Sequence, residues 1–210
     1  IKTDKHIKFK GIHSHIGSQI FDAKPYKELI DILVPFMKEL KDVHGLSVEM
    51  LNCGGGMGIN YTQEDQAFVL PAFIETFTKY LSEQCDTNKL NRPRLLFEPG
   101  RSIVGQAGLT LYTVGAVKVI PDIKTYAFID GGMADNMRPI IYKSQYTFDK
   151  VSKTGALIKT YSIAGKFCES GDVLADNIDL EEVEKGDKLI VFSTGAYNYS
   201  MSSCLLYTSP

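Results

Sequence analysis

Cys168-Glu-Ser-Gly-Asp172 sets a thiol beside a carboxylate. Thiols in general titrate at roughly 8.5, which suits giving up a proton near neutral pH, and a neighbouring carboxylate can hold a cation. A lone cysteine is more often a packing residue, so the pair gains meaning only from the company it keeps. Five other stretches offer chemistry. His13-Ser-His-Ile-Gly-Ser18 supplies an imidazole, His15, able to stack on an aromatic ring, and a hydroxyl, Ser18, able to bond a phosphate. Cys53-Gly-Gly-Gly-Met-Gly58 supplies Gly54, Gly55 and Gly56, whose N–H groups can approach a phosphate with no Cβ in the way. Its spacing is neither a Walker loop nor a dinucleotide fingerprint. In Phe97-Glu-Pro-Gly-Arg101, Glu98 can keep a ring nitrogen protonated, and Arg101 is a fixed cation for phosphate or carboxylate. The stretch from Asp130 to Tyr142 presents Arg138 and Tyr142. Gly195 to Ser203 presents Tyr197, whose hydroxyl can reach a phosphate. Taken singly, each also reads as a turn, a surface ion pair or amphipathic packing.

The elements that must position these groups fall into two kinds. Residues 7–13 alternate apolar and polar as a strand does. Asp22 and Pro25 open a helix, Leu29, Ile30, Leu33, Val34, Met37 and Leu40 line one face of it, Pro35 is a site for a kink, and Gly45 ends it. Strands follow at 48–53 and 94–98, with a second helix expected over 63–83. This β-α-β-α-β order belongs to a parallel sheet or barrel. Near Gly105–Gly108 the character changes to β-branched and aromatic runs at 109–120, 125–130, 154–165 and 188–194, separated by turn residues. The expected organisation is residues 1–107 as part of a (β/α)8 barrel and 108–210 as a mostly β domain. The first motifs follow strand ends, where the C-terminal rim of a parallel barrel gathers its loops.

The chain has 210 residues, is 44% hydrophobic and 23% charged, and carries a formal net charge of −2. With no run of one charge sign, neither nucleic acid nor an anionic membrane is an expected partner. No apolar run is long enough to span a bilayer, and the first ten residues lack the apolar core of a signal peptide. Cys53, Cys85, Cys168 and Cys204 form no CxxC pair, and the four histidines lack metal-site spacing. The reading is a reduced, cytoplasmic protein with no metal.

In order and in combination, GIHSHIGSQIFD, NCGGGMGI, EPGRSIVG, DGGMADNMRP, CESGD and GAYNYSMSS closely resemble the fold-type III, pyridoxal-phosphate-dependent decarboxylases, nearest to the diaminopimelate decarboxylases among them. The resemblance runs to about Ser203. It implies an alanine-racemase-like (β/α)8 barrel followed by a β domain, with pyridoxal 5′-phosphate as cofactor. It implies that His15 stacks on the cofactor ring, and that Glu98 pairs with the pyridine nitrogen. Ser18, Gly54, Gly55, Gly56, the Pro99-Gly100-Arg101 backbone and Tyr197 would hold the phosphate. Arg101, Arg138, Tyr142 and Glu169, with Tyr197, would grip the substrate. Cys168 would be the catalytic proton donor, delivered with Glu169 across a homodimer interface into the partner's site. Two arginines plus one glutamate suit a substrate whose far end carries both ammonium and carboxylate, which favours meso-2,6-diaminopimelate, yielding L-lysine and CO2. Carboxynorspermidine, ornithine or arginine are the alternatives within the family.

Two departures bear on this. The family's Schiff-base lysine lies on the first barrel strand, and no lysine here sits in a matching motif. The stretch therefore reads as a fragment, inactive by itself and prone to aggregate through open strand edges. After SMSS the family pattern is lost, so CLLYTSP is expected to carry no function. A racemase would lack CESGD and DGGMADNMRP. A non-catalytic regulator of the same fold would have lost cofactor residues that are all present here.

Overall fold

The computed structural model describes residues 4–67 and 69–203. The CLLYTSP tail falls outside the described residues. The chain divides into two units, one running to Ile59 and including Gln66–Ser102, the other comprising Asn60–Asp65 and the chain from Ile103 onward.

The first unit is a three-stranded parallel sheet with its two helices in the crossovers, a segment of the (β/α)8 barrel. Its strands are β1 (Gly11–His13), β2 (Met50–Asn52) and β3 (Arg94–Leu96), in that spatial order. Helix α1 (Lys24–Asp42) runs unbroken through the exposed Pro35, so no kink is needed. Asp22 bonds the Lys24 N–H at 2.8 Å, although Ala23 occupies the cap position. Gly45, at φ 60°, closes the helix. Helix α2 (Leu70–Thr87) starts seven residues later than position 63. Pro71 sets its first turn, and Asp65 instead ties down the N–H groups of Tyr61 and Thr62 at 2.9 Å. The first strand is shorter than the alternation of 7–13 suggested, because only Gly11–His13 meet partners in β2. Leu29, Ile30, Val34 and Met37 of α1 and Phe73, Phe77, Leu81 and Cys85 of α2 bury themselves against Leu51 and Cys53.

The second unit opens with α3 (Arg101–Val104), whose first residues belong to the other unit, and holds a six-stranded, largely antiparallel sheet. In chain order the strands are β4 (Thr110–Ile120), β5 (Lys124–Ile129), β6 (Phe148–Lys150), β7 (Ile158–Ala164), β8 (Val173–Glu181) and β9 (Lys188–Val191), with a five-residue helix α4 (Arg138–Tyr142) between β5 and β6. The spatial order is β6-β9-β4-β5-β7-β8. Strand β8 did not stand out in the sequence because VLADNIDLE mixes acidic and amide residues with few β-branched ones. Pro139 sits in the first turn of α4, where a missing N–H costs nothing.

Candidate functional site

In the first unit, strand register gathers the chemistry. His13 pairs with Asn52, and Asn52 with Leu96, so the residues that follow these three strands emerge at one level. The Glu98 N–H bonds the Gly54 carbonyl at 2.8 Å, tying the third loop to the second. The Glu98 carboxylate is clamped: Asn52 Nδ2 donates to Oε1 at 2.9 Å, and His13 Nε2 lies 3.2 Å from Oε2. The Asn52 bond first, and the His13 bond second, hold the Glu98 carboxyl below the usual carboxylate range. Glu98 is exposed, so this anion faces an open mouth.

The same Asn52 accepts the Gly54 N–H through Oδ1 at 2.9 Å. His15 accepts the Gly55 N–H at Nδ1, 3.2 Å away, which fixes the imidazole and leaves its exposed face outward. The three glycines are compelled by close approach. A Cβ on Gly54, at φ 66°, would stand 2.7 Å from His15 Nδ1. One on Gly55 would overlap the Glu98 carbonyl oxygen, and one on Gly56 that of Gly17. Below the loop, Tyr26 of α1 is 0% exposed and donates its hydroxyl to the Gly55 carbonyl at 2.9 Å. Burial pushes that hydroxyl up to about 12, so it is a permanent donor. Pro99 and the exposed Gly100 turn the chain into α3, where Arg101, only 7% exposed, reaches Ser18 Oγ with Nη2 at 3.0 Å.

In the second unit, the Arg138 guanidinium stands 4.9 Å from the ring centre of Tyr142 and 5.0 Å from that of Tyr197. Its Nη1 lies 3.6 Å from Met201 Sδ. Tyr197, in the loop that follows β9, takes φ 69°, a left-handed backbone. Cys168 and Glu169 do not join this cluster. They sit exposed on the turn between β7 and β8. That turn is tied down by the Asp172 carboxylate, 4% exposed, which accepts the Phe167 N–H at 2.9 Å and the Met133 N–H at 2.7 Å.

Asp172 gives a stability prediction. Burial, first, raises its carboxyl above the ordinary value, against the pull of the two N–H groups. Asp172→Ala leaves both half-buried N–H groups without this acceptor, an expected loss of about 2 kcal/mol. A raised folded-state value means that the aspartate's contribution is complete below its unfolded value and declines as pH rises through the folded one. Denaturant unfolding should therefore show a larger wild-type-to-alanine gap in acid than at neutral pH. Equal gaps at both would refute this.

Sequence reasoning singled out His15, Ser18, the glycines, Glu98 and Arg101, and the structure brings them into two bonded groups, Glu98–Gly54–Gly55–His15 and Arg101–Ser18. Arg138, Tyr142 and Tyr197 also meet. It passed over His13, Asn52 and Tyr26. The signal for the first two was present: HSH and NCGGG both begin at strand ends, so their first residues are cross-strand neighbours. Nothing in the sequence marked Tyr26 apart from the rest of its helix face.

Comparison with known proteins agrees with this geometry. Residues 1–105 match the family described as pyridoxal-dependent decarboxylase, pyridoxal binding domain. A diaminopimelate decarboxylase of Bacillus subtilis is 44% identical across 97% of this chain and 46% of its own length, and one from Staphylococcus aureus is 42% identical across 97% and 48%. The chain thus spans about half the length of these relatives. The crystal structure of M. jannaschii diaminopimelate decarboxylase in co-complex with L-lysine superposes with a TM-score of 0.86 at 36% identity, covering 92% of this chain and 44% of that one. A Vibrio vulnificus lysine/ornithine decarboxylase complexed with cadaverine gives 0.84 at 25% identity, covering 97% and 53%. With its glycine loop, clamped glutamate and anchored histidine inside the matched segment, the chain belongs to the pyridoxal-dependent decarboxylase family.

Proposed function

We propose that the full-length protein binds pyridoxal 5′-phosphate and decarboxylates meso-2,6-diaminopimelate to L-lysine and CO2. The observation that carries the reading is the clamp on Glu98. An exposed carboxylate kept ionised by Asn52 and His13 is suited to hold a proton on a pyridine nitrogen. The residues fit the rest of the group: a glycine cradle with no room for a Cβ suits a phosphate, an anchored imidazole suits a ring face, and Arg101 on Ser18 suits the anion. When bound, the cofactor supplies an electron sink for the bond that breaks.

The chain's own residues would do the remainder. His15 stacks on the ring and Glu98 keeps the nitrogen protonated. Gly54, Gly55 and Gly56 line the phosphate loop, and Ser18, Pro99-Gly100-Arg101 and Tyr197 help hold the phosphate there. Arg138, with Arg101, Tyr142 and Tyr197, takes the substrate's carboxylate, and Glu169 its distal ammonium. Cys168 returns a proton to the carbon that has lost CO2. The exposed turn carrying Cys168 and Glu169, unbonded to the Arg138 cluster, supports their serving the partner's site in a homodimer. Among the described residues no helix is long and apolar enough to cross a membrane. Free thiols at Cys53, Cys85 and Cys168 support a reducing cytoplasm. We place the domain boundary near residue 108, where the β-rich segment begins.

The test is CO2 release by the full-length protein with pyridoxal phosphate, offered diaminopimelate, ornithine, arginine and carboxynorspermidine in turn. Release from diaminopimelate at the highest kcat/KM is expected. Preference for another substrate would overturn the substrate assignment, and no release from any would overturn the decarboxylase reading.

A further inference from the structure

We infer that Tyr26 is a positioning residue for the anion site: its buried hydroxyl sets the Gly55–Gly56 peptide so that the Gly56 N–H is presented to the cofactor's phosphate. This deepens, and rests on, the cofactor reading above. The argument is one of peptide geometry. A trans peptide is planar, with its N–H pointing opposite to its C=O, and the described chain holds no cis peptide. Tyr26 draws the Gly55 carbonyl down toward α1 with a 2.9 Å bond. The N–H of the same peptide, that of Gly56, must then point away from the core. Among the described residues it has no hydrogen-bond acceptor. Gly56 itself is held at φ 100°, and its carbonyl is taken by the Ile20 N–H at 2.9 Å, so the residue is fixed on both sides.

Tyr26 is well supported for this task. Its ring is locked edge-on against Phe73, centroids 5.0 Å apart, and Phe77, 6.5 Å apart. Phe77 in turn packs on Phe97, the neighbour of Glu98, at 5.3 Å. The hydroxyl, kept protonated by burial, has nothing to gain by rotating away from a backbone acceptor. The two preceding N–H groups, of Gly54 and Gly55, are already engaged by Asn52 and His15. Gly56 is thus the glycine of the three whose donor is left for a ligand.

Tyr26→Phe keeps the ring and removes only the hydroxyl. In the full-length protein its affinity for pyridoxal 5′-phosphate is expected to fall about tenfold, the scale of one lost neutral hydrogen bond. Affinity for pyridoxal, which lacks the phosphate, should be unchanged. Hydrogen–deuterium exchange over residues 53–58 should quicken in the free protein. Phe77→Leu, which disturbs the same aromatic cluster, should lower Tm without altering the ratio of the two affinities. Equal weakening toward both ligands, or toward neither, would overturn the inference and leave Tyr26 as packing. If the wild type bound neither ligand, the cofactor reading would fail and take the phosphate role with it. The exchange data would then decide the rest: quickened exchange supports the fixed peptide plane, and unchanged exchange overturns it.

Discussion

Replacing Cys168 by alanine in the full-length protein is expected to lower kcat by about 10²–10⁴-fold, the range for loss of a positioned general acid, while pyridoxal phosphate still binds. When CO2 departs, the electron pair of the broken bond stays with the substrate carbon, and product forms only when that carbon gains a proton. On the proposed reading Cys168 would give its S–H proton and recover it from water. The thiol is exposed on the β7–β8 turn, so deleting it leaves no buried gap and removes none of the turn's hydrogen bonds. Cofactor titration should therefore match the wild type. The separation between the two readouts is the point: a fall in cofactor affinity equal to the fall in kcat would mark Cys168 as structural. Cys168→Ser, which retains a poorer acid, should lie between.

Gly55→Ala is expected to weaken pyridoxal phosphate by roughly 10- to 100-fold, the equivalent of about 1–3 kcal/mol of overpacking. The added methyl would overlap the Glu98 carbonyl oxygen and press on its carbon at 3.1 Å, and neither is the end of a flexible side chain. Both loops must shift, and the shift carries Glu98 away from Asn52 and His13 while pulling the Gly55 N–H from His15. One methyl would thus disturb together the glycine loop, Glu98 and His15, the three parts proposed to hold the cofactor. Gly115→Ala is the control, since a Cβ there meets nothing nearer than the Phe128 carbonyl oxygen at 3.8 Å. Titration of both variants with the cofactor measures the contrast, and equal affinities would show that the close approach does not govern binding.

The legible part of the fold was whatever hydrophobic period and punctuation specify locally. Of the six positions read as the apolar face of α1, Leu29, Ile30, Val34 and Met37 are buried, and Leu33 and Leu40 are partly buried against the same core. The three glycines were read as room for a phosphate, and the fold also needs them bare because a Cβ would meet His15, Glu98 or Gly17. What escaped depends on tertiary neighbours. The start of α2 turned on Pro71 and on Asp65 bonding back to Tyr61 and Thr62. Strand β8 has only Val173 and Ile178 as β-branched residues and owes its existence to pairing with β7. The Glu98 clamp needs three strands in register before Asn52 and His13 become neighbours of a glutamate 46 and 85 positions away. Tyr26 stood outside the helix face read from the sequence, because a hydroxyl's partner is invisible until the loop folds over it.

The most direct test of the central claim is a crystal structure of the full-length protein with pyridoxal phosphate and L-lysine. The account predicts the Glu98 carboxylate within hydrogen-bond distance of the pyridine nitrogen, His15 flat on the ring, and the Gly56 N–H on a phosphate oxygen. Cofactor density elsewhere, or a ring nitrogen facing a group other than Glu98, would contradict it.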